Sequence, residues 1–250
     1  MSGLKFTGER HVPGSSPPRT EAEHLARYEF ALKFVARRRT LDLGCGEGYG
    51  SHMLSRVAEY VVGSDIDSVA IEHAKATYSA PNLEYRVADA AGLPFSDHEF
   101  AACVCFEVIE HVKNPGAILR EVARILKPDG VFIVSTPNGA VRVSSTPNPH
   151  HIKEYNLREF SELLEPSFPP AGWGTEIYGQ FVRGKAYTTA GVYVKNAYLA
   201  VKGALGVPPP KTKAPKRAGD DGSKPTIEYD FRRDKAHLAE YLVAIITGRG

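Results

Sequence analysis

Short apolar runs alternate with longer segments of mixed polarity along most of this chain. The runs are rich in Val, Ile, Leu and Phe, and they predict strands near 40–43, 60–64, 83–87, 100–106 and 131–135. The longer segments predict helices near 21–37, 48–57, 67–78, 115–126 and 157–164. Strands that alternate with helices are typical of a doubly wound α/β fold. The carboxyl ends of its parallel strands lie at one edge of the sheet, where ligands bind.

The last third of the chain continues this pattern less regularly. Strands are predicted at 175–182 and 242–247, and a helix at about 187–205. Residues 207–225 are rich in Pro, Lys and Gly, which predicts an exposed and mobile loop. We interpret residues 21–250 as a single domain, preceded by a tail or lid at residues 1–20.

Composition and charge narrow the functional classes only a little. The 250 residues carry a formal net charge of +2 at pH 7, which argues neither for nor against a polyanionic partner. Three cysteines are too few for a disulfide framework. No signal segment opens the chain, and no apolar run reaches the length of about 18 residues that a membrane span needs. We therefore expect a cytoplasmic protein with reduced thiols.

A glycine-rich stretch, Leu41 to Gly50, follows the first predicted strand. Its glycines allow a tight turn and the close approach of a ligand, although a structural turn would also explain a single Gly-x-Gly pattern. Asp65 ends the second strand about 20 residues later, where nucleotide-binding α/β folds place an acid that accepts hydrogen bonds from ribose hydroxyls. The whole unit favours a nucleotide-like ligand.

This stretch resembles the first motif of class I S-adenosylmethionine (SAM) methyltransferases. Later segments match motifs of that family in the same order: Val87–Ala90, Leu93–Phe95, Phe106–His111, Leu126–Gly130 and Ser135–Asn138. The resemblance covers residues 35 to 165 or so. It implies a Rossmann-like, seven-stranded sheet that is mostly parallel and ends in an antiparallel pair, supplied by the two late strands.

The resemblance also implies a SAM site at the carboxyl edge of the sheet. The backbone N–H groups of Gly44 and Gly46 would face the aminoacyl part of SAM, and Asp65 would accept both ribose hydroxyls. Asp89 would lie near the adenine amino group, with Ala90 beside it. The full set of expected cofactor-binding residues is Tyr28, Asp42, Gly44, Cys45, Gly46, Asp65, Ile66, Asp89, Ala90 and Phe106. For Tyr28, packing on the hydrophobic core is the competing interpretation.

An acid–histidine segment, Glu107 to His111, follows the fourth predicted strand. If this segment is helical, Glu107, Glu110 and His111 share one face, because residues three and four apart are neighbours on a helix. Adjacent carboxylates repel each other unless one takes up a proton or a cation lies between them. A divalent metal would supply that cation. Metal-free methyltransferases also carry Glu-His here as polar residues at a helix start, so both interpretations stay open at this point.

A later histidine pair, His150 and His151, favours the metal. The pattern Glu-x-x-Glu-His with a later His is similar to that of the small-RNA 2′-O-methyltransferases and of metal-dependent sugar O-methyltransferases such as the mycobacterial mannoside 1-O-methyltransferase. This resemblance implies Glu107, Glu110, His111 and His151 as ligands of Mg²⁺ or Mn²⁺, with His150 as the alternative fourth ligand. The candidate catalytic residues are His111, His150 and Glu107.

The leading hypothesis is a SAM-dependent O-methyltransferase that uses a divalent metal to methylate a hydroxyl of a sugar or glycoside. An alcohol needs a metal more than an amine or a phenol does, because coordination lowers the pKa of a bound hydroxyl. The expected partner is a small-molecule or oligosaccharide acceptor, whose pocket would be shaped by an insertion at about 166–225. A homodimer is one candidate assembly.

Three alternatives remain open from the sequence. One is a metal-independent small-molecule N- or O-methyltransferase, and another is a SAM-sensing module without catalysis. The third is an RNA 2′-O-methyltransferase. A nucleic-acid partner is disfavoured because the sequence shows one basic loop, within 207–225, rather than a basic groove with aromatic residues.

Overall fold

The computed structural model describes residues 17–141, 148–182 and 228–250, in which five α-helices flank an eight-stranded sheet. The helices are α1 (Pro18–Val35), α2 (Tyr49–Ser55), α3 (Ser68–Thr77), α4 (Pro115–Ile125) and α5 (Leu157–Leu164). The strands are β1 (Arg39–Leu43), β2 (Tyr60–Asp65), β3 (Leu83–Val87), β4 (Phe100–Phe106), β5 (Leu126–Pro137), β6 (Trp173–Val182), β7 (Tyr229–Arg232) and β8 (Tyr241–Gly248).

The strands lie in the order β3-β2-β1-β4-β5-β8-β6-β7. Strands β1 to β5 form parallel pairs, whereas β8 lies antiparallel between β5 and β6, and β7 pairs antiparallel with β6. The prediction of a Rossmann-like α/β sheet with antiparallel final strands is therefore confirmed. The strand order reverses between β1 and β4, which places a ligand-binding crevice at their carboxyl ends.

The predicted count of seven strands is wrong, because the described residues form eight. The additional strand is β7, a segment of four residues in which Tyr229 and Phe231 alternate with Asp230 and Arg232. It lies at the edge of the sheet, next to β6. A short edge strand with charged residues carries too weak an apolar signal to be found from the sequence pattern.

Two boundaries differ from the prediction by three residues or more. Helix α1 begins at Pro18 rather than near residue 21, because proline fits the first turn of a helix, where its missing N–H costs nothing. Strand β5 begins at Leu126 rather than near 131. Leu126 pairs with Phe100, the register then shifts, and regular pairing resumes between Val131 and Ala102.

Parts of the prediction fall on residues that the structure does not describe. The helix predicted at 187–205 and the loop predicted at 207–225 both lie there, as do residues 1–16 of the predicted tail or lid. Within the described ranges, no helix is long and apolar enough to cross a membrane.

Apolar side chains pack on both faces of the sheet. On β4, Cys103 and Cys105 point to one face while Ala102 and Val104 point to the other, as the period of two in a strand requires. Helices α4 and α5 cover the first face, and α1 and α2 cover the second. Cys103 and Cys105 are both buried and free. Because both faces are covered, ligands have access to the sheet at its edge.

Candidate active site

A cavity of about 640 Å³ lies at the carboxyl ends of β1, β2 and β4. Its wall also includes part of α1 and the segment that follows β3. Nine of the ten residues predicted to bind the cofactor line it: Tyr28, Gly44, Cys45, Gly46, Asp65, Ile66, Asp89, Ala90 and Phe106. The volume is within the range of about 300–1,000 Å³ that is common for small-molecule sites.

The glycine-rich loop between β1 and α2 needs its glycines for two reasons. Gly44 and Gly48 have φ angles of +75° and +95°, which residues with a side chain rarely adopt. In addition, a Cβ atom on Gly44 would lie 2.4 Å from Cγ2 of Val108. Glycine at this position therefore permits both the turn and its close contact with the segment after β4.

Asp65 connects the glycine-rich loop to the start of α3. Its Oδ2 accepts a hydrogen bond from the Gly46 N–H at 2.9 Å, and its Oδ1 accepts one from the Asp67 N–H at 2.9 Å. Each carboxylate oxygen has a second lone pair, which can accept a further hydrogen bond from a ligand. Ile66 follows on the cavity wall and is 71% exposed.

Tyr28 and Phe106 bring α1 and β4 together at the cavity. Their rings meet edge to face, with centroids 5.1 Å apart. Tyr28 is 4% exposed, so it belongs to the core and to the cavity wall at once. On the opposite side, Oδ1 of Asp89 accepts a hydrogen bond from the Ala91 N–H at 2.9 Å, which holds the turn after β3.

Asp42 is the one predicted cofactor residue that does not line the cavity. It is fully buried in β1, where its carboxyl group accepts hydrogen bonds from Ser51 Oγ at 2.6 Å and from the Tyr28 hydroxyl at 3.2 Å. Burial raises the pKa of Asp42 to about 7, although both hydrogen bonds favour the ionised form. The carboxyl group therefore supports the cavity wall from behind.

The acid–histidine segment is not one continuous helix, so the condition under which its two acids and His111 would share a helical face is not met. Glu107 has a φ angle of 57°, and a single turn of 3₁₀-helix covers Ile109–His111. The Glu107 N–H still donates a hydrogen bond to the carbonyl oxygen of Ser135 at 3.3 Å. This bond keeps Glu107 in register with β5. Glu107 and Glu110 consequently do not share a helical face.

Three of the four predicted metal ligands come together beside the cavity. Potential ligand atoms of Glu110, His111 and His151 lie within 4.8 Å of one another. Glu107 lies outside this cluster; it lines the cavity, and its Oε1 accepts a hydrogen bond from Ser135 Oγ at 2.6 Å. His111 belongs to both the cluster and the cavity wall, so the two sites adjoin.

Both imidazoles of the cluster are oriented through Nδ1. In His111 this atom lies 3.1 Å from the carbonyl oxygen of His150, and in His151 it lies 2.6 Å from Oε1 of Glu154. Because a carbonyl and a carboxylate accept hydrogen bonds, Nδ1 carries the proton in each neutral ring and Nε2 carries the lone pair. Metal-binding histidines almost always have such a partner on their other nitrogen.

Glu110 is fully buried, and one of its carboxyl oxygens lacks a partner among the described residues. Oε2 accepts a hydrogen bond from Thr136 Oγ1 at 3.2 Å, whereas Oε1 accepts none. Burial raises the pKa of Glu110 well above its usual range, and the negative charge of Glu107 adds to this effect. A divalent cation would supply both a partner and a counter-charge, so the residues present fit a metal ion.

Backbone hydrogen bonds hold the segment with His151 against the segment after β4. The N–H groups of Ile152 and Lys153 donate to the carbonyl oxygen of Glu110 at 2.7 Å and 3.2 Å. His150, the alternative ligand and candidate catalytic residue, is exposed, and its ring is not part of the three-residue cluster. Its carbonyl group orients His111 instead.

The cavity wall also contains residues that the sequence analysis did not select. They include His24, Glu47, Tyr49 and Asn114. His24 lies four residues before Tyr28 on α1, and its Nδ1 is 3.3 Å from the Tyr49 hydroxyl. Helical spacing could have identified His24, and membership of the glycine-rich stretch could have identified Glu47 and Tyr49. Asn114 is the N-cap of α4, a role that gave no functional signal.

Part of the chain matches a family model and several named relatives. Residues 41–134 match the methyltransferase domain family. A probable SAM-dependent methyltransferase of Mycolicibacterium smegmatis is 38% identical over 171 residues, which are 66% of this chain and 65% of that protein. A ubiquinone biosynthesis O-methyltransferase of Neisseria meningitidis is 38% identical over 108 residues, which are 40% of this chain and 44% of that protein. The chain thus spans less than two thirds of the length of these relatives.

Solved structures share the fold. A SAM-dependent methyltransferase of Thermotoga maritima, described as a possible histamine N-methyltransferase, superposes with a TM-score of 0.61 over 91% of this chain and 89% of that one. The two sequences are 14% identical, so this likeness concerns the fold alone. By both comparisons, this chain is similar to SAM-dependent methyltransferases.

Proposed function

We propose that this chain is a SAM-dependent O-methyltransferase that methylates a hydroxyl group of a sugar or glycoside with the help of a divalent metal. The observation that carries the proposal is the Glu110–His111–His151 cluster beside the cavity at the carboxyl edge of the sheet. A cofactor in the cavity and an acceptor at the cluster would be neighbours, because His111 belongs to both sites.

SAM is proposed to occupy the cavity. Gly44 and Gly46 would offer backbone N–H groups to its aminoacyl part, and Asp65 would accept the ribose hydroxyls with its remaining lone pairs. Asp89 and Ala90 would lie beside the adenine. Asp65 is already fixed by two hydrogen bonds to backbone N–H groups, so little side-chain entropy would be lost on binding.

The proposed metal ligands are Glu110, His111 and His151, with Glu107 as a further candidate on the cavity side. One carboxylate and two imidazoles suit Mn²⁺ better than Mg²⁺, which prefers oxygen ligands. When bound, a divalent metal lowers the pKa of a coordinated hydroxyl and fixes the hydroxyl in position. An acceptor with two adjacent hydroxyls would gain most from such a site, which is the reason for proposing a sugar.

The protein must also dispose of a proton. Methyl transfer forms a bond between the acceptor oxygen and the methyl carbon, breaks the bond from that carbon to sulfur, and releases the hydroxyl proton. Glu107 is the proposed proton acceptor, because it lines the cavity beside His111 and lies outside the three-residue cluster. Its hydrogen bond from Ser135 would hold the carboxylate in place for this role.

A second candidate is a metal-independent O-methyltransferase in which Nε2 of His111 is the general base. It is favoured by the position of His111 on the cavity wall, with the proton on Nδ1 directed to the His150 carbonyl. The relative from Neisseria meningitidis, named as an O-methyltransferase of ubiquinone biosynthesis, is consistent with this candidate. In that case the contact between His151 and Glu154 would be structural.

One experiment separates the two candidates. SAM binding is measured by calorimetry, and transfer from labelled SAM to a panel of oligosaccharides is measured after exhaustive chelation and after Mn²⁺ or Mg²⁺ is returned. The proposal expects chelation to leave SAM binding intact and to abolish transfer, which the metal restores. His151→Ala should require far more metal, whereas the exposed His237→Ala should behave like the wild type. Full transfer by chelated enzyme would support the second candidate, and a lack of SAM binding would overturn both.

A further inference from the structure

Asp42 lies one layer of residues behind the proposed cofactor site. It is fully buried and does not line the cavity, but Tyr28, Gly44 and Cys45 around it do. The Tyr28 hydroxyl lies 3.2 Å from one carboxyl oxygen of Asp42 and 3.3 Å from the other, and Ser51 Oγ lies 2.6 Å from Oδ2. A charge placed in the cavity therefore acts on Asp42 through buried protein, where electrostatic interactions are stronger than in water.

The titratable groups that face Asp42 come from every element packed against it. They are Tyr28 of α1, Tyr49 of α2, Asp65 of β2, Tyr85 of β3, Cys103 and Cys105 of β4, and Cys45 of the glycine-rich loop. Burial raises the pKa of each of these tyrosines and cysteines, so all of them stay neutral between pH 6 and 8. Asp65 adds a negative charge, and no member of this set is a cation.

Asp42 is therefore a buried acid with no counter-charge among these neighbours. Burial raises its pKa to about 7, and the charge of Asp65 acts in the same direction. At pH 7, about half of the molecules then carry a proton on Asp42. A positive charge that enters the cavity would favour the ionised form and expel that proton.

We propose that Asp42 is the residue by which this site distinguishes SAM from its product, S-adenosylhomocysteine (SAH). The inference rests on the proposed function. SAM carries a positive sulfonium. When the methyl group leaves, the electron pair of the broken bond stays on sulfur and makes it a neutral thioether, while the positive charge departs with the acceptor's proton. Ionised Asp42 attracts the sulfonium, and it regains a proton once the charge is gone, which favours release of SAH.

The proposal has a direct consequence for binding. SAM lowers the pKa of Asp42, so SAM binds more tightly above that pKa than below it. If the pKa falls to about 5 or below in the complex, the affinity for SAM should decrease about tenfold between pH 8 and pH 6. The affinity for SAH should lack the part of the pH dependence that comes from Asp42. The two ligands share their amino, carboxylate and adenosine groups, so the difference between them isolates the sulfonium.

Calorimetry in two buffers with different ionisation enthalpies counts the protons that each ligand releases. At pH 7, wild-type protein should release about half a proton more with SAM than with SAH. In Asp42→Asn, which keeps the shape of the side chain, this difference should vanish. Ser51→Ala removes the 2.6 Å hydrogen bond that favours the ionised carboxyl. The pH at which the affinity for SAM is halfway between its low-pH and high-pH values should therefore be higher in Ser51→Ala than in the wild type.

Each result bears on the proposal. Equal proton release with SAM and SAH in the wild type would overturn it, as would an undiminished difference in Asp42→Asn. If Asp42→Asn does not fold, the comparison with Ser51→Ala decides, and an unmoved midpoint overturns the proposal. Wild-type protein that binds SAM without the extra proton release would refute the role of Asp42 alone. Wild-type protein that binds no SAM would refute the proposed function itself.

Discussion

The imidazole of His151 and the carboxylate of Glu154 are joined by a contact of 2.6 Å between Nδ1 and Oε1. The side chain of His151 is 9% exposed, so packing restricts the ring while Glu154 fixes its tautomer. His111 has a comparable contact, at 3.1 Å, with the carbonyl oxygen of His150. Two histidines from separate segments, each oriented through Nδ1, thus meet beside the buried acid Glu110.

We expect Glu154→Gln to weaken Mn²⁺ binding about 10–100-fold, because the amide lacks the charge that fixes the Nδ1 proton of His151. SAM affinity should not change, since Glu154 does not line the cavity. Calorimetry with each ligand measures both effects. Glu162→Gln is the matched control, because it replaces an exposed carboxylate that pairs with Arg158. Equal Mn²⁺ affinities of the two variants would contradict the role of Glu154.

Replacing Asp65 with Ala should weaken SAM binding by about 1.5–3 kcal/mol, the scale of hydrogen bonds to a charged group. The variant loses the 2.9 Å contact that orients the glycine-rich loop at Gly46, the 2.9 Å contact with Asp67 before α3, and the proposed acceptor for the ribose hydroxyls. Calorimetric titration with SAM measures the loss. Asp129→Ala, at an exposed position, is the control. Wild-type SAM affinity in Asp65→Ala would remove this residue from the site.

The cavity proposed to bind the cofactor was largely predictable because it follows from local patterns. An apolar run gave the bounds of β4, 100–106, and the glycine-rich stretch marked the turn after β1. Parallel strands with right-handed crossovers then place their carboxyl ends at one edge. The pattern does not predict whether a side chain lines the cavity or is buried behind its wall. Asp42 and Asp65 both belong to strand ends near glycines, yet one is buried behind the wall and the other lines it.

The acid–histidine cluster was less predictable because tertiary contacts determine its geometry. The backbone of Glu107 is fixed by its hydrogen bonds to Ser135, which belongs to a neighbouring strand. Val108 packs closely on Gly44, a contact between two segments that are distant in the sequence. The approach of His151 depends on backbone hydrogen bonds to the Glu110 carbonyl from the residues that follow it. The spacing of apolar and polar residues along the sequence does not predict any of these contacts.

Gly50→Ala should destabilise the protein by about 1–3 kcal/mol, the usual cost of overpacking a core. A Cβ atom at this position would lie 2.0 Å from Cζ of Tyr28, whose ring is held by its hydrogen bond to Asp42 and its contact with Phe106. Urea denaturation measures the change. Gly172→Ala is the matched control, since nothing lies within 4 Å of its Cβ position. Equal midpoints for both variants would show that Tyr28 can shift at little cost.

The stability of the fold should decrease in acid, in part through Glu121. Its carboxylate accepts hydrogen bonds from Arg124 at 2.8 Å and from the Leu93 N–H at 2.8 Å. The bond from Arg124 lowers the pKa of Glu121 below its usual value. A group whose pKa is lowered by folding stabilises the native state above its unfolded pKa and loses this contribution as the pH falls through its folded pKa.

The Glu121→Gln variant should therefore show a smaller loss of stability than the wild type when the pH is lowered from 7 to 3. Denaturant unfolding at a series of pH values gives the free energy of unfolding for both proteins. All other carboxyl groups are common to the two, so the difference between the curves reports Glu121. Parallel curves over the whole range would show that the contact with Arg124 contributes nothing to acid sensitivity.

Glu110→Gln should have opposite effects on stability and on metal binding. In the metal-free protein, burial disfavours a charge at this position, and Oε1 has no partner among the described residues. A glutamine has nearly the same shape, and its amide oxygen can still accept the hydrogen bond from Thr136 Oγ1. The variant should therefore unfold at the same urea concentration as the wild type, or at a higher one, when no metal is present.

With Mn²⁺ the order should reverse. A ligand present at a concentration 100 times its Kd stabilises the native state by about 2.7 kcal/mol. The wild type should gain this amount, while Glu110→Gln should gain little, because the proposed carboxylate ligand is gone. Glu162→Gln should respond to Mn²⁺ like the wild type, since its carboxylate is exposed, pairs with Arg158 and does not belong to the cluster. An equal gain in Glu110→Gln would show that the buried acid does not bind the metal, and a large loss of stability without metal would assign the carboxyl group a structural role instead.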